Sequence, residues 1–436
     1  MAAAPALVDA EASTATLPRL LAGLTNDLVT HRQEYPAPPL SARPLGDVTT
    51  AVERSGLRGR GGAGFPTGRK LRAVADRGGR TRRPIVVVNG SEGEPASSKD
   101  SVLLTKHPHL VLDGALLAAA AVGATEVVVC IDRTATRALR SVRAAIADRS
   151  RTERSSRIVR VAAIPHRYVA GEETALIHWL NGGEAKPTLT PPRPFEAGVG
   201  GRPTLVDNVE TLAHVAQVVH WGPEWFREHG TDDEPGTMLV TVSGAVGQKG
   251  VHEVPVGARL GAVIRNAGGT LSRAGGVLVG GYFGAWLSPE QARRVRLCDA
   301  DLRPLGAGLG CGAVVVLPAD ACGLKETARI LSWLAGESAG QCGSCVHGLA
   351  AIAGGAADLY RGEDTVDRLV RWAGQVEGRG ACHLPNGAVR LLRSGLAVFA
   401  DEVDRHRSGE GCSADFNCSG GAAVLPIPDT KAEPWQ

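Results

Sequence analysis

The stretch HLVLDGALLAAAAVGATEVVVCI, residues 109–131, decides the fold. It comes nearest to a membrane span, which needs about 18–20 uninterrupted apolar residues. Asp113, Gly114 and Gly123 interrupt it. The segment therefore reads as a helix over 109–122, a turn, and a strand over 125–131. The pattern continues outward in both directions. RPIVVVNGSEGEP (83–95) is a buried strand running into a polar loop. A helix over 134–148 and a strand over 157–164 follow. Strand alternating with helix predicts an α/β layer with a largely parallel sheet.

Upstream, TTAVERSGLRGRGGAGFPTGRKLRAVADR reads as helix, glycine loop, helix. Residues 16–45 read as a helix followed by the Pro-rich arm PAPPLSARP. Near residue 236 the pattern changes. TMLVTVSGAVGQKGVHEVPVG alternates apolar and polar residues, as short antiparallel strands do. GARLGAVIRNAGG makes one helix, and GGVLVGGYFGAWL and AVVVLP add strands. From 323 to 408, apolar residues recur at helical spacing, which predicts a helical bundle. The expected divisions are 1–45 (helix and arm), 46–235 (α/β), 236–320 (small sheet), 321–408 (bundle) and 409–436 (irregular tail).

A chain of 436 residues with 43% hydrophobic and 21% charged residues has the composition of a soluble globular protein. A net charge of +3 gives no argument for nucleic acid. The first 15 residues lack the basic start and long apolar run of an export signal. Nine cysteines, an odd number, argue against a disulfide framework and for a reducing cytoplasm.

GLRGRGGAGFPTGRKL (56–71) is the strongest local motif. Its five glycines between 56 and 64 let backbone N–H groups approach a ligand, and Arg58, Arg60, Arg69 and Lys70 add positive charge. The loop feeds a helix, which suits a phosphate or pyrophosphate. It matches neither the P-loop nor the Rossmann fingerprint. Three further loops carry polar groups: NGSEGEP (89–95), GEETAL (171–176) and GRPTLVDNVETL (201–212). Each alone is explained by a turn or a helix cap. Together, in one α/β domain, they point to a nucleotide or flavin.

In ESAGQCGSC (337–345), Cys342 and Cys345 form a C-x-x-C, and after 36 intervening residues Cys382 stands in RGACHLPNG. Two thiolates from one turn and a third from another suit an iron–sulfur cluster or zinc, with His347 or His383 able to complete a zinc set. A redox dithiol would want βαβ surroundings, and these are helical. Cys412 and Cys418, spaced C-x5-C in the tail, have no assignment.

These motifs, in this order from about residue 50 to 405, resemble the NADH-binding FMN/iron–sulfur flavoprotein subunit of respiratory complex I. They also resemble its relatives in NAD-linked hydrogenases and formate dehydrogenases. GRGGAGFPTGRK, GEETAL and PTLVDNVETL carry the resemblance. VSGAVGQKGVHEVPVG looks like the family's SLBB domain. The resemblance implies an α/β FMN-binding domain, a small β-grasp-like (SLBB) domain and a helical iron–sulfur bundle.

By motif, FMN would meet Gly59, Gly61, Lys70, Asn89, Glu92, Tyr168, Gly171, Glu172, Val206, Asn208 and Thr211. NAD(P)H would meet Gly62, Ala63, Phe65, Glu94 and Glu173. Cys342, Cys345 and Cys382 would hold a [4Fe-4S] cluster, a [3Fe-4S] cluster, or one with a non-cysteine ligand. No residue is expected as an acid or base, because the hydride passes between bound cofactors. The implied partner is an electron acceptor: a ferredoxin-like protein, a thioredoxin-like [2Fe-2S] subunit, or a membrane cytochrome or quinone reductase. The expected place is the cytoplasm, peripheral on the cell membrane through partners. The competing expectation is a non-catalytic assembly or binding paralogue that has lost cofactor or cluster.

Five positions depart from the family pattern. Ser91 stands for an Asp. Asp207 stands for an Asn and puts an extra acid near the flavin. Ala73 and Arg193 replace two Phe of the adenine shelf, and Arg193 could favour a 2′-phosphate by planar stacking. Ala339 replaces the first cluster cysteine. Its ligand would come from Ser338, His347, His383, a tail cysteine or solvent.

Overall fold

The computed structural model describes residues 17–37, 45–412, 424–428 and 434–436. Most of the Pro-rich arm, the first 16 residues and Cys418 lie outside them. No helix among the described residues is long and apolar enough to cross a membrane.

The first sheet is four parallel strands in the order β3-β2-β1-β4: β1 (Ile85–Gly90), β2 (Glu126–Asp132), β3 (Val159–Ile164) and β4 (Thr204–Asn208). Strand side chains alternate between faces. Val86, Val88, Val127, Val129 and Leu205 enter one core, with α2 (Leu45–Ser55), α3 (Thr67–Arg77), α5 (Pro108–Val122) and α8 (Val209–Trp221). Ile85, Val87, Val128, Cys130 and Val206 enter another, beneath α7 (Glu173–Leu180). Burial pushes the Cys130 thiol up to about 12, so it is inert packing. α4 (Lys99–Lys106) and α6 (Thr136–Thr152) complete the layer.

The interruptions in the opening stretch have structural uses. Gly114 lies where α5 crosses α8; a Cβ there would fall 1.8 Å from the Leu212 carbonyl oxygen. Asp113 is buried and accepts from His31 Nε2 at 2.7 Å, Arg32 Nη1 at 2.8 Å and Arg149 Nη2 at 2.8 Å. These partners satisfy a buried charge that would otherwise be costly. They also pin α1 (Leu28–Glu34) onto the layer. The helix expected ahead of the Pro-rich arm is only this long. Pro18 and Gly23, the latter at φ +53°, fall in the irregular run before it.

The second sheet has the order β6-β5-β9-β7-β8. Its strands are β5 (Thr237–Gly244), β6 (Gly250–Pro255), β7 (Ala274–Val279), β8 (Ala285–Leu287) and β9 (Ala313–Pro318). The β5–β6 hairpin is antiparallel, as the alternation predicts. β5 also pairs with β9 in parallel, which local pattern did not reveal. α10 (Leu260–Asn266) packs on this sheet, and the short helices α11 (Pro289–Arg294) and α12 (Asp299–Leu302) fill its connections; α9 (Pro223–Arg227) precedes β5, and its Phe226 enters the first core.

The bundle is α13 (Gly323–Gly336), α14 (Ala350–Tyr360), α15 (Val366–Val376), α16 (Leu384–Val398) and α17 (Ala400–Arg407). Its core takes Leu278, Val315 and Leu317 from the second sheet, so sheet and bundle share one interior.

Candidate flavin and cluster site

Four loops meet at the carboxyl ends of β1 and β4, where parallel sheets place ligands. The glycine loop is closed by Gly59 N–H donating to the Phe65 carbonyl at 2.9 Å. Gly62 and Gly64 have φ of +111° and +62°, conformations that favour glycine. A Cβ on Gly61 would meet Asn208 Cβ at 3.2 Å, and one on Gly62 would meet the Gly310 backbone at 3.7 Å. The loop therefore lies between β4 and the segment before β9. Arg60 N–H donates to Thr211 Oγ1 at 2.8 Å.

Lys70 leaves α3 toward β4. Its Nζ donates to the Val206 carbonyl at 2.5 Å and stands 3.6 Å from Glu173 and 3.8 Å from Asp207. Asp207 is buried, and its Oδ2 has no hydrogen-bond partner. Burial pushes its carboxyl up to about 6, while Lys70 pulls the other way. Asn89 donates to the Gly171 carbonyl at 2.7 Å and Asn208 to Asp100 at 2.7 Å, tying the loops together.

Several predicted contacts are turned inward. Glu92 accepts from Ser97 Oγ, Asp100 N–H and Ser101 N–H. Glu172 accepts from Thr174 and Ala175 N–H and caps α7. Asn208 caps α8 through Glu210 N–H. These carboxylates and amides shape the loops, which offer their backbone to a ligand.

Glu94 faces the second sheet. It accepts from Tyr168 OH at 3.1 Å and Tyr282 N–H at 2.8 Å, and burial pushes its carboxyl up to about 7. A cavity of about 190 Å³ lies beside it, lined by Gly90, Glu92, Glu94, Asp132 and His166. A larger hollow of about 450 Å³, by Arg80, Arg83 and Gly123, touches none of the four loops. Phe65 is 53% exposed and Arg193 is exposed, so neither stacks on a neighbour here.

The chain's own geometry fits a flavin nucleotide. A backbone loop that approaches Asn208 and Gly310 closely, an ammonium and an orphaned buried carboxylate oxygen lie together at the end of β4.

The three predicted cysteines also come together, between the end of α13 and the start of α16. Cys345 begins a π-helical turn, Ser344–Leu349. Burial and the neighbouring Cys342 sulfur push the Cys345 thiol up to about 12, and Cys382 adds to this. Burial also raises the Cys382 thiol; the Leu384 N–H opposes it, and the charges of Glu172 and Cys342 add to it. Burial opposes ionisation of Cys342 as well, but the backbone donors at Ala381, Cys345 and Ser344 outweigh it and hold that thiol below its ordinary value. Ala339 packs in the same interior and offers no ligand atom. Of the candidates for its place, Ser338 hydrogen-bonds to the Cys345 thiol, whereas His347 and His383 are exposed. Cys412 is elsewhere, beside His406 and Cys322.

The donor set of three thiols fits an iron–sulfur cluster. A single tetrahedral zinc would draw its sulfurs to about 3.8 Å from one another. Among the described residues, the one set of three ligand atoms within 4.8 Å of one another is Cys322, His406 and Cys412, so the Cys342–Cys345–Cys382 set is more open than a single-ion chelate.

Two side-chain bridges join flavin loop and cluster loop. Arg167 Nε donates to Glu337 at 3.1 Å, and Tyr168 N–H donates to the same carboxylate at 2.8 Å. Tyr168 also packs edge-on against Trp333 and Phe283, with ring centroids 5.0 and 4.8 Å apart. Neither bridge had a sequence signal, because the partners are about 170 and 115 or more residues apart. The tail returns here too: the Arg167 guanidinium lies 4.0 Å from the Trp435 ring.

Comparison with known proteins agrees with this geometry. Residues 52–217 match the model of the Nuo51 FMN-binding domain, and 325–406 match that of the NADH-ubiquinone oxidoreductase-F iron–sulfur binding region. The chain is 33% identical over 380 residues to the F 2 subunit of NADH-quinone oxidoreductase from Rhizobium meliloti, covering 84% of this chain and 90% of that one. It is 34% identical over 378 residues to the F subunit of NADH-quinone oxidoreductase from Aquifex aeolicus, covering 83% and 86%. Among solved structures, it is similar to NAD+-reducing [NiFe]-hydrogenase in the H2-reduced state, with a TM-score of 0.78 and 32% identity. That match covers 87% of this chain and 66% of the hydrogenase chain. The chain belongs to the family of NADH-quinone oxidoreductase F subunits, with an FMN-binding region and an iron–sulfur region joined through the Arg167–Glu337 bridge.

Proposed function

We propose that the chain is an electron-transfer flavoprotein subunit that oxidises NAD(P)H through FMN and passes electrons singly to a partner through an iron–sulfur cluster. One observation carries this reading: Arg167 Nε and Tyr168 N–H donate to Glu337 at 3.1 and 2.8 Å, so the loop that leads into Cys342 and Cys345 adjoins the flavin loops. When bound, FMN supplies the exchange between a two-electron hydride and single electrons. The chain's own residues hold and orient.

The backbone of Gly59, Gly61 and Gly62 would receive the isoalloxazine and the nicotinamide nucleotide, and Lys70 would offer its charge to phosphate. Asn89, Asn208 and Thr211 would keep the loops in register. Glu94 and Glu173, with Ala63 and Phe65, would line the nucleotide side. Cys342, Cys345 and Cys382 would hold the cluster, with Ser338, which hydrogen-bonds to the Cys345 thiol, offering an oxygen one residue before Ala339. The second sheet, 236–320, is read as the SLBB-like unit between the α/β region (46–235) and the bundle (321–408). Its hairpin, helix and parallel β5–β9 pair support a β-grasp reading. The acceptor is a separate protein, of ferredoxin, [2Fe-2S] subunit or membrane cytochrome type, met on the cytoplasmic side.

Anaerobic purification with a visible spectrum and counts of iron, sulfide and zinc tests the reading. A yellow-brown protein bleached by NADH or NADPH is expected. A colourless protein that takes up neither FMN nor iron on reconstitution would leave only the assembly paralogue, which Ala339 favours. Equal bleaching rates with both nucleotides would remove the role of Arg193 in favouring a 2′-phosphate.

A further inference from the structure

The bundle also contains a sulfur–imidazole set, Cys322, His406 and Cys412. Cys322 precedes α13 and accepts from Lys325 N–H through its sulfur at 3.3 Å. His406 lies in the last turn of α17, and Cys412 follows that helix. His406 Nε2 stands 3.9 Å from Cys322 Sγ and 3.5 Å from Cys412 Sγ, and all three ligand atoms lie within 4.8 Å of one another. Two ligands of one tetrahedral zinc, a sulfur at about 2.3 Å and a nitrogen at about 2.0 Å, sit about 3.6 Å apart. The observed separations bracket that value. Cys322 and His406 are buried, and Cys412 is half-buried.

The surroundings hold the donors in place. The Tyr360 ring packs on His406 with centroids 5.1 Å apart. Glu402, which accepts from Leu324 N–H at 3.1 Å, also hydrogen-bonds to the Cys322 thiol. Such outer partners orient metal ligands. In this structure Cys412 is disulfide-bonded.

We propose that Cys322, His406 and Cys412 form a zinc site that opens only when the Cys412 disulfide is reduced. A dithiol reductant gives two electrons and two protons to the disulfide and is itself oxidised to a disulfide, and the Cys412 thiol is freed. Zn2+ then displaces the protons of the Cys322 and Cys412 thiols and takes the two sulfurs and the imidazole nitrogen, leaving the fourth position to water. The ion would tie the start of α13, the end of α17 and the tail. The described parts of the tail lie on the joint between flavin loop and bundle, where the Pro426 carbonyl accepts from Tyr282 OH at 2.9 Å and Trp435 covers Arg167. The site stands apart from Cys342, Cys345 and Cys382, and does not depend on what they bind.

The test uses iron-loaded protein, so that the cluster thiols are occupied. Reduced protein freed of excess dithiol is titrated with Co2+ as a coloured stand-in, then with Zn2+. One equivalent with a tetrahedral, thiolate-ligated Co2+ spectrum is expected, displaced by Zn2+. Oxidised protein should take up none, and it serves as a folded control without any substitution. Cys322→Ser, which keeps an oxygen to cap α13, and His406→Gln should each weaken uptake at least tenfold with the iron content unchanged. Absence of uptake by the reduced protein overturns the proposal. So does equal uptake by the oxidised protein or by the two variants.

Discussion

Under the proposed function, the flavin region and the cysteine bundle bind by opposite means. In the flavin region the backbone is the instrument, and side chains shape it. Glu92, Glu172 and Asn208 direct their oxygens to the N–H groups of their own loops and helices. In the bundle the side chain is the ligand. A backbone site tolerates exchanges that preserve the path, such as Ser91 or Asp207. A thiolate site does not tolerate Ala339 without a substitute atom, because a methyl group cannot ligate iron.

The sharpest way to break this comparison is Cys382→Ser. It should abolish stable iron binding while FMN content stays within about twofold, since metal sites lose ~10–100-fold in affinity even from outer-partner changes. Loss of FMN together with iron would mean that the two regions are one binding unit. The reverse experiment is Ala339→Cys. A fourth thiol in the same interior should slow iron loss to a chelator by about tenfold, by the same scale. Unchanged iron loss would show that another atom already fills that place.

Asp207→Asn sharpens the flavin side. Burial raises its carboxyl to about 6, above the ordinary value of an unfolded Asp. A group whose folded value is raised gives stability that is full below the unfolded value and is lost as pH rises through the folded one. The wild type should therefore lose stability between about pH 4 and 6, and the Asn variant should not. The gap at pH 8 should reach up to ~3 kcal/mol, because each pH step between the unfolded and folded values is worth about 1.4 kcal/mol. Thermal melts of both proteins at pH 5 and pH 8 measure it, and a gap that is equal at the two pH values would refute it. The smallest effect expected is Gly61→Ala. Its Cβ would meet Asn208 Cβ at 3.2 Å, tighter than ordinary contact, and FMN should bind about tenfold more weakly, equivalent to the ~1–3 kcal/mol cost of overpacking. FMN fluorescence on dilution reads this directly.

The same contrast explains what was legible in the sequence. Strand and helix periods revealed the parallel sheet, because Val86, Val88 and their partners alternate between two cores. The four loops were legible because glycine and capping residues are local signals. Cys342, Cys345 and Cys382 were found because two of them share a turn. The Cys322–His406–Cys412 set was not, since its members are 84 and 6 residues apart and only bundle closure joins them. The parallel β5–β9 pair and the inward use of Glu92 were likewise decided by contacts that no window contains. The helix expected ahead of the Pro-rich arm is shorter for a local reason: Pro18 and Gly23 leave it a single short segment anchored by Asp113.

The ring cluster of Tyr168, Tyr282, Phe283 and Trp333 lies where the flavin loop meets the bundle. Its centroids are 4.8 to 5.6 Å apart, and Tyr282 is fully buried. An electron crossing such a wall leaves behind little water that must reorient. Under the proposed function, the aromatic joint keeps the reorganisation energy of the transfer low, and polar substitutions at Phe283 or Trp333 would slow electron flow without touching either cofactor's ligands.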